Sequence, residues 1–253
     1  MIAAIIIILG ALFLLLMETN WLTIRLPIYA LEPTIEIPDL RNVLGIMNAR
    51  GILALAGIVG PIILITMDLI AAFTQLNYSL VHQSISSLAL TSMGWVQTIC
   101  FMLMGLMIES FTAGLYLNIK RRRGFGFGTA LLAFFGFSML VLGTFQTRAV
   151  GSPATFSSRV HAVAADCVLG LFPIALVLML TSIKNDKRWR RMFNFTVITG
   201  VIAVALAACY PFLPEGFRFF GLYERLMVLN AITWLGTFAV ILLILSFQAP
   251  EAV

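Results

Sequence analysis

The sequence predicts an all-α transmembrane bundle of about seven helices, one N-terminal span followed by a six-helix core. Its composition is 61% hydrophobic and 11% charged, against about 45–50% and about 25% in a soluble domain. So few charges cannot cover a water-facing surface, which makes lipid the solvent. The apolar residues also fall in uninterrupted runs near the ~20 residues that carry a helix across a hydrocarbon core of about 30 Å. These runs lack the period-two alternation of a membrane barrel, and an open sheet would leave its edge groups unpaired in lipid.

The spans read as Ile2 to Met17, Gly51 to Thr74, Gly94 to Ile119, Phe125 to Thr147, Val160 to Ile183, Met192 to Phe212 and Leu226 to Phe247. The first is the shortest. No Lys or Arg precedes it and no small-residue cleavage site follows, so it reads as a retained span rather than a secretory signal. Glu18 to Arg50 holds Pro27, Pro33 and Pro38 among Glu32, Glu36 and Asp39, and resembles neither a span nor a basic loop. Residues 1–50 therefore form a span and Pro-containing connector, and residues 51–253 a six-helix membrane domain.

The net charge of +5 would suggest nucleic acid in a soluble protein. Here the basic residues divide by loop: Lys120 to Arg123 and Lys184 to Arg191 hold the clusters, which by the positive-inside rule are cytoplasmic. Loops 75–93, 148–159 and 213–225 then lie outside a cell membrane, and 18–50 inside if the first span is retained. Basic loops of this kind set topology and meet anionic headgroups, so lipid is the expected partner and nucleic acid is not. Tyr78, Trp95, Tyr210 and Tyr223 fall at the expected outer interface, with Tyr116 and Trp189 at the inner one. Cys100, Cys167 and Cys209 lie inside spans without metal-binding spacing, as small packing residues do.

A charge inside hydrocarbon costs about 2.5–3.5 kcal/mol on insertion scales, so each one calls for a partner or a function. Asp68, Glu109 and Asp166 are such residues. Asp68 and Asp166 both fall about 9 Å below the expected outer ends of their helices. The same end supplies His82, Ser84, Ser86, Arg148, Arg159, His161, Glu224 and Arg225, which predicts an outward-facing polar pocket between helices. Glu109 lies deeper and suits a helix-to-helix hydrogen bond.

Other chemistries find less support. His161 and Asp166 stand five apart, about 140° around a helix, and form no local pair. No Gly-x-Ser-x-Gly elbow accompanies Ser84 or Ser86. His82, His161 and Asp166 could supply two imidazoles and a carboxylate to a metal, but no His-x-x-x-His spacing supports it, and no metal is predicted. The lysines sit in loops and the histidines at span ends, so neither a retinal Schiff base nor an inter-helix haem is implied, and no cofactor is predicted.

Three stretches also form a pattern: Val81-His82-Gln83-Ser84-Ile85-Ser86-Ser87-Leu88, Phe145 to His161 with Gly151-Ser152-Pro153, and Gly221-Leu222-Tyr223-Glu224-Arg225-Leu226. Their order resembles the prokaryotic membrane family called domain of unknown function 998. It is more distantly similar to the Frag1/DRAM/Sfk1 group of six-helix proteins. The resemblance covers about Gly51 to Phe247 and implies a six-helix core with motif-bearing outer loops, without a reaction. It departs from the family at Gln146-Thr147-Arg148, where an acidic residue is common.

Three functions remain in view. The first is a binding or transport-like protein whose pocket holds a lipid headgroup or small amphiphile, with Arg148, Arg159 or Arg225 meeting an anion. The second is an intramembrane enzyme acting on lipid through His82, His161 and Asp166. The third is a structural or assembly subunit that docks on other membrane subunits. The residues favour binding over catalysis.

Overall fold

The computed structural model describes residues 49–214 and 217–247. The predicted span Ile2 to Met17 lies outside the described residues, as does its connector apart from Ala49 and Arg50. The described chain is helical throughout its regular structure. Six helices are long and apolar enough to cross a membrane: α1 (Ala49–Thr74), α2 (Gly94–Asn118), α3 (Phe125–Thr144), α4 (Phe156–Asn185), α5 (Phe193–Cys209), which 3₁₀ turns at both ends extend to Arg190–Phe212, and α6 (Phe220–Ser246).

Two helix starts differ most from the sequence reading, each for a local reason. Helix α4 starts four residues earlier than Val160 because Thr155 and Ser158 cap it reciprocally. Thr155 Oγ1 accepts the Ser158 N–H at 3.1 Å and Ser158 Oγ accepts the Thr155 N–H at 3.0 Å, a capping box with Ser in the place usually held by Glu or Gln. Helix α6 starts six residues before Leu226 and takes Glu224 and Arg225 into its first turns. Charges there signal a loop unless they are partnered, and both are. At the end of α5, Pro211 removes a backbone donor and the chain finishes as a 3₁₀ turn, Tyr210–Phe212.

Short loops make successive helices antiparallel. Each packs on the next, and α6 packs back on α1, so the six form a closed ring whose thinnest seam is between α5 and α6. Close approach between α2 and α3 depends on a glycine pair. A Cβ on Gly105 would stand 2.8 Å from the Gly136 carbonyl oxygen, and one on Gly136 3.2 Å from that of Gly105, the small-residue packing expected where lipid gives no hydrophobic drive. Gly124 has φ 89°, a left-handed conformation that lets the chain turn from the Lys120–Arg123 loop into α3 without a side-chain penalty.

Loops 75–93 and 145–155 and the described parts of the α5–α6 loop, 213–214 and 217–219, gather at one end of the ring, here the motif end; the two basic loops share the opposite, basic end. The half nearer the basic end is filled by aromatic rings. Trp234 stacks on Phe238 at 4.2 Å and meets Phe111 and Phe172 edge-on at 6.5 and 5.9 Å, and its indole N–H donates to Thr196 Oγ1 at 3.2 Å. Trp189, assigned from sequence to the membrane interface, is fully buried and stacks on Phe238. Beside it Asp186 ties the basic loops together, accepting the Lys120 N–H at 2.8 Å and the Arg188 N–H at 3.0 Å. One half of the ring is therefore plugged, which leaves the motif end as the place for a site.

Candidate functional site at the motif end

After α1 the chain reverses at Asn77, whose φ of 67° is tolerated by Asn, and enters a short 3₁₀ helix over the ring. Ser84 caps the 3₁₀ helix Ile85–Leu90. Its Oγ accepts the Ser87 N–H at 3.1 Å, and Ser87 Oγ donates to the Ser84 carbonyl at 2.6 Å. Ile85 and Leu88, three apart and so on one side of a 3₁₀ turn, are buried. The serine-rich stretch is thus a capped turn pegged into the bundle by two apolar side chains.

The start of α6 holds that turn in place. A Cβ on Gly221 would lie 2.2 Å from the Gln83 carbonyl oxygen and 2.6 Å from that of Leu80, so only glycine admits the loop there. The Leu222 N–H donates to the Val81 carbonyl at 3.1 Å. Glu224 Oε2 accepts the Ile85 N–H at 2.6 Å. Arg225 donates from Nε and Nη2 to the two carboxylate oxygens of Asp68 at 3.2 and 3.1 Å, from Nη2 to the Tyr78 hydroxyl at 2.9 Å, and from Nη1 to the Leu80 and Gln83 carbonyls at 2.9 and 3.1 Å. The Tyr78 hydroxyl in turn donates to the Ser84 carbonyl at 2.7 Å. Burial pushes the Tyr78 phenol above its ordinary value although the Arg225 guanidinium pulls the other way, which keeps it a proton donor.

The third stretch joins from α3 and α4. His161 Nδ1 lies 2.7 Å from the Phe145 carbonyl; a carbonyl only accepts, so Nδ1 carries the proton, and the ring has the Leu142 carbonyl as a second backbone partner. Arg148 donates from Nη1 to the Ser152 carbonyl, folding the 145–155 loop back on itself.

These three stretches surround a cavity of about 320 Å³, within the ~300–1,000 Å³ range of small-molecule sites. Ser84, Ser86, Arg148, His161, Tyr223 and Glu224 line it toward the motif end; Met104, Ile108, Phe135 and Phe172 line its depth. Its wall runs along α4 from Ser158 to Phe172, about 20 Å at ~1.5 Å per residue. It is therefore polar at one end, apolar below, and about two thirds as deep as a ~30 Å hydrocarbon core.

Of the candidates read from sequence, Ser84, Ser86, Arg148, His161 and Glu224 meet at this cavity. Asp68 and Arg225 pair with each other just beside it and do not line it. His82 is exposed, with Nδ1 against the Arg218 carbonyl and its ring near Phe219. Arg159 and Asp166 are exposed on α4. Glu109 lies against Gly136, away from the lining. His82, His161 and Asp166 do not converge, and no group of three His, Cys, Asp or Glu side chains placed to hold a metal occurs among the described residues.

Sequence reasoning missed Tyr210, Tyr223 and Asn230 as lining residues. Tyr223 donates its hydroxyl to the Leu206 carbonyl and stacks on Tyr210 at 6.5 Å, while Asn230 Nδ2 donates to the Thr199 carbonyl at 3.1 Å. These contacts span the thin α5–α6 seam. Tyr223 and Asn230 are about one and three helical turns beyond Phe219 on the face that carries Met227, a spacing that could have marked them.

Fold and composition define a multi-pass helical membrane protein. Within that class the chain matches the family described as Protein of unknown function (DUF998) over residues 58–241, and it belongs to that family. The matched range contains all three motif stretches. No curated protein and no solved structure matches the chain.

The Arg225 network predicts strong coupling. Removing one member of a buried ion pair costs about 3–5 kcal/mol because its partner is left uncompensated. Arg225→Ala should lose about 3 kcal/mol of unfolding free energy in detergent, and Asp68→Ala made in that background should cost far less than Asp68→Ala alone. Additive losses in the double-mutant cycle would contradict the pairing.

Proposed function

We propose that this protein binds a single-chain amphiphile, with the chain in the apolar depth of the cavity and the head among Ser84, Ser86, Arg148, His161 and Glu224. The observation that carries this reading is the division of one cavity into a polar mouth and an apolar shaft about 20 Å deep, which matches a molecule with one tail and one head. The width is limited by Phe101, Phe135 and Phe172 on three helices, which favours one chain over two. Arg148 at the rim suits a phosphate or carboxylate.

The proposal extends to sidedness. The clusters Lys120 to Arg123 and Lys184 to Arg191 support a cytoplasmic basic end in a cell membrane, so that the mouth opens on the outer side. In intact cells, a membrane-impermeant maleimide should label Ser152→Cys and leave Arg122→Cys unlabelled; the reverse pattern would invert the orientation.

Occupancy is tested by narrowing the shaft. Ala165 lines the cavity on α4, whereas Val163 on the same helix is 63% exposed. Native mass spectrometry of protein released from mild detergent should find an amphiphile adduct in the parent and in Val163→Trp, and at least a tenfold loss in Ala165→Trp of equal thermal stability. Equal adduct in Ala165→Trp would sink the reading.

A further inference from the structure

Resting on the amphiphile reading of the same cavity, the geometry points to a narrower ligand class: a long-chain amphiphile that carries a hydrogen-bond donor directly beyond its chain and an anionic group farther out. N-acyl amino acids and phosphorylated long-chain amino alcohols share this order of groups. The inference comes from the depth at which donors and acceptors stand on the wall.

An acceptor lies below the rim, with an imidazole near its level. Glu224 is the fifth residue of α6 and His161 the sixth of α4, about 6 and 8 Å into the bundle at ~1.5 Å per residue. Glu224 Oε2 is used by the Ile85 N–H, and Oε1 accepts no hydrogen bond among the described residues. His161 commits its Nδ1 proton to the Phe145 carbonyl, and its ring has the Leu142 carbonyl as a second backbone partner. Both side chains line the cavity. The polar groups near them do not answer Glu224 Oε1: the Ser84 and Ser86 hydroxyls bond to each other at 3.2 Å, the Tyr223 hydroxyl donates to the Leu206 carbonyl, and Asn230 Nδ2 donates to the Thr199 carbonyl.

The cation stands higher. Arg148 belongs to the loop between α3 and α4, outside both helices, and is exposed. It gives Nη1 to the Ser152 carbonyl and keeps its other N–H groups for a ligand. Arg225, the alternative cation, has every donor engaged by Asp68, Tyr78, Leu80 and Gln83. From the shaft outward the wall therefore presents apolar surface, then the Glu224 acceptor, then a guanidinium. A head without a donor would displace water from Glu224 Oε1 and leave it bare, which is costly for a buried polar group. A head without an anion would forgo the charge-assisted contact that Arg148 offers at the rim.

The test uses the full chain in nanodiscs and four probes of one chain length: N-myristoylglycine, with donor and anion; N-myristoylsarcosine, whose amide lacks the N–H; N-myristoylglycine methyl ester, which lacks the anion; and myristate, which has an anion and no donor. In equimolar competition read by native mass spectrometry, N-myristoylglycine should occupy the protein at least tenfold more than each of the others. Arg148→Ala should bring the acid and its methyl ester to within about twofold while N-myristoylglycine still exceeds N-myristoylsarcosine; Glu224→Leu should erase that second preference. The parent ratios decide the matter if a variant does not fold. Comparable occupancy by all four probes would overturn this inference and leave the amphiphile reading standing. Failure of every probe to bind, or binding that Ala165→Trp does not reduce, would overturn both.

Discussion

A guanidinium carried into an apolar bundle must find an acceptor for every N–H, and Arg225 finds them all in one place. Nε and one Nη2 proton go to Asp68, the other Nη2 proton to Tyr78, and the Nη1 protons to two carbonyls of the 75–93 loop. In lipid such groups have no solvent to fall back on, so the requirement folds the loop down over the ring. The neighbouring Glu224 then reaches the Ile85 amide and Gly221 lets the two backbones touch. The rest of the motif end follows from that placement, because the Ser84 turn can sit beside His161 only with the loop held there.

The ring below divides its interior unevenly. Toward the basic end, aromatic rings from α2, α4 and α6 meet around Trp234, and Trp189 closes the bottom. Toward the motif end the walls carry smaller or flexible residues such as Ala162, Ala165, Ala203 and Met104, and a cavity remains. An open space of this kind is costly to keep empty in a close-packed interior. Its polar mouth and apolar shaft are what the proposed binding reading rests on.

Much of this was legible in the sequence. The six spans declared themselves because a helix in lipid must be apolar on nearly every face, and Gly94 and Phe125 open their helices where the reading put them. The cost of buried charge singled out Asp68, and the gathering of polar residues at one end pointed to Ser84, Ser86, Arg148, His161 and Glu224. The partner of Asp68 was not legible, because Arg225 lies 157 residues away and pairing across a ring depends on rotation of both helices. For the same reason Arg225 was counted among the anion-binding candidates although its donors are spent internally, and Asp166, at a depth like that of Asp68, is exposed on α4 near Tyr210 and does not line the cavity. The aromatic residues were read by position along the span alone, which sent Trp189 and Tyr223 to the interface; their hydrogen-bonding and stacking partners sit on other helices.

The central claim is that the Arg225-held loop forms the mouth of a shaft that takes one amphiphile head-first toward the motif end. A density map of the full chain in nanodiscs of native lipid, at a resolution that separates side chains, addresses it most directly. The account predicts Arg225 on Asp68 and one unbranched density running from the level of Arg148 past His161 and Glu224 to Ile108. A shaft closed by its own side chains, or Arg225 turned away from Asp68 with the Ser84 turn lifted from the ring, would contradict it.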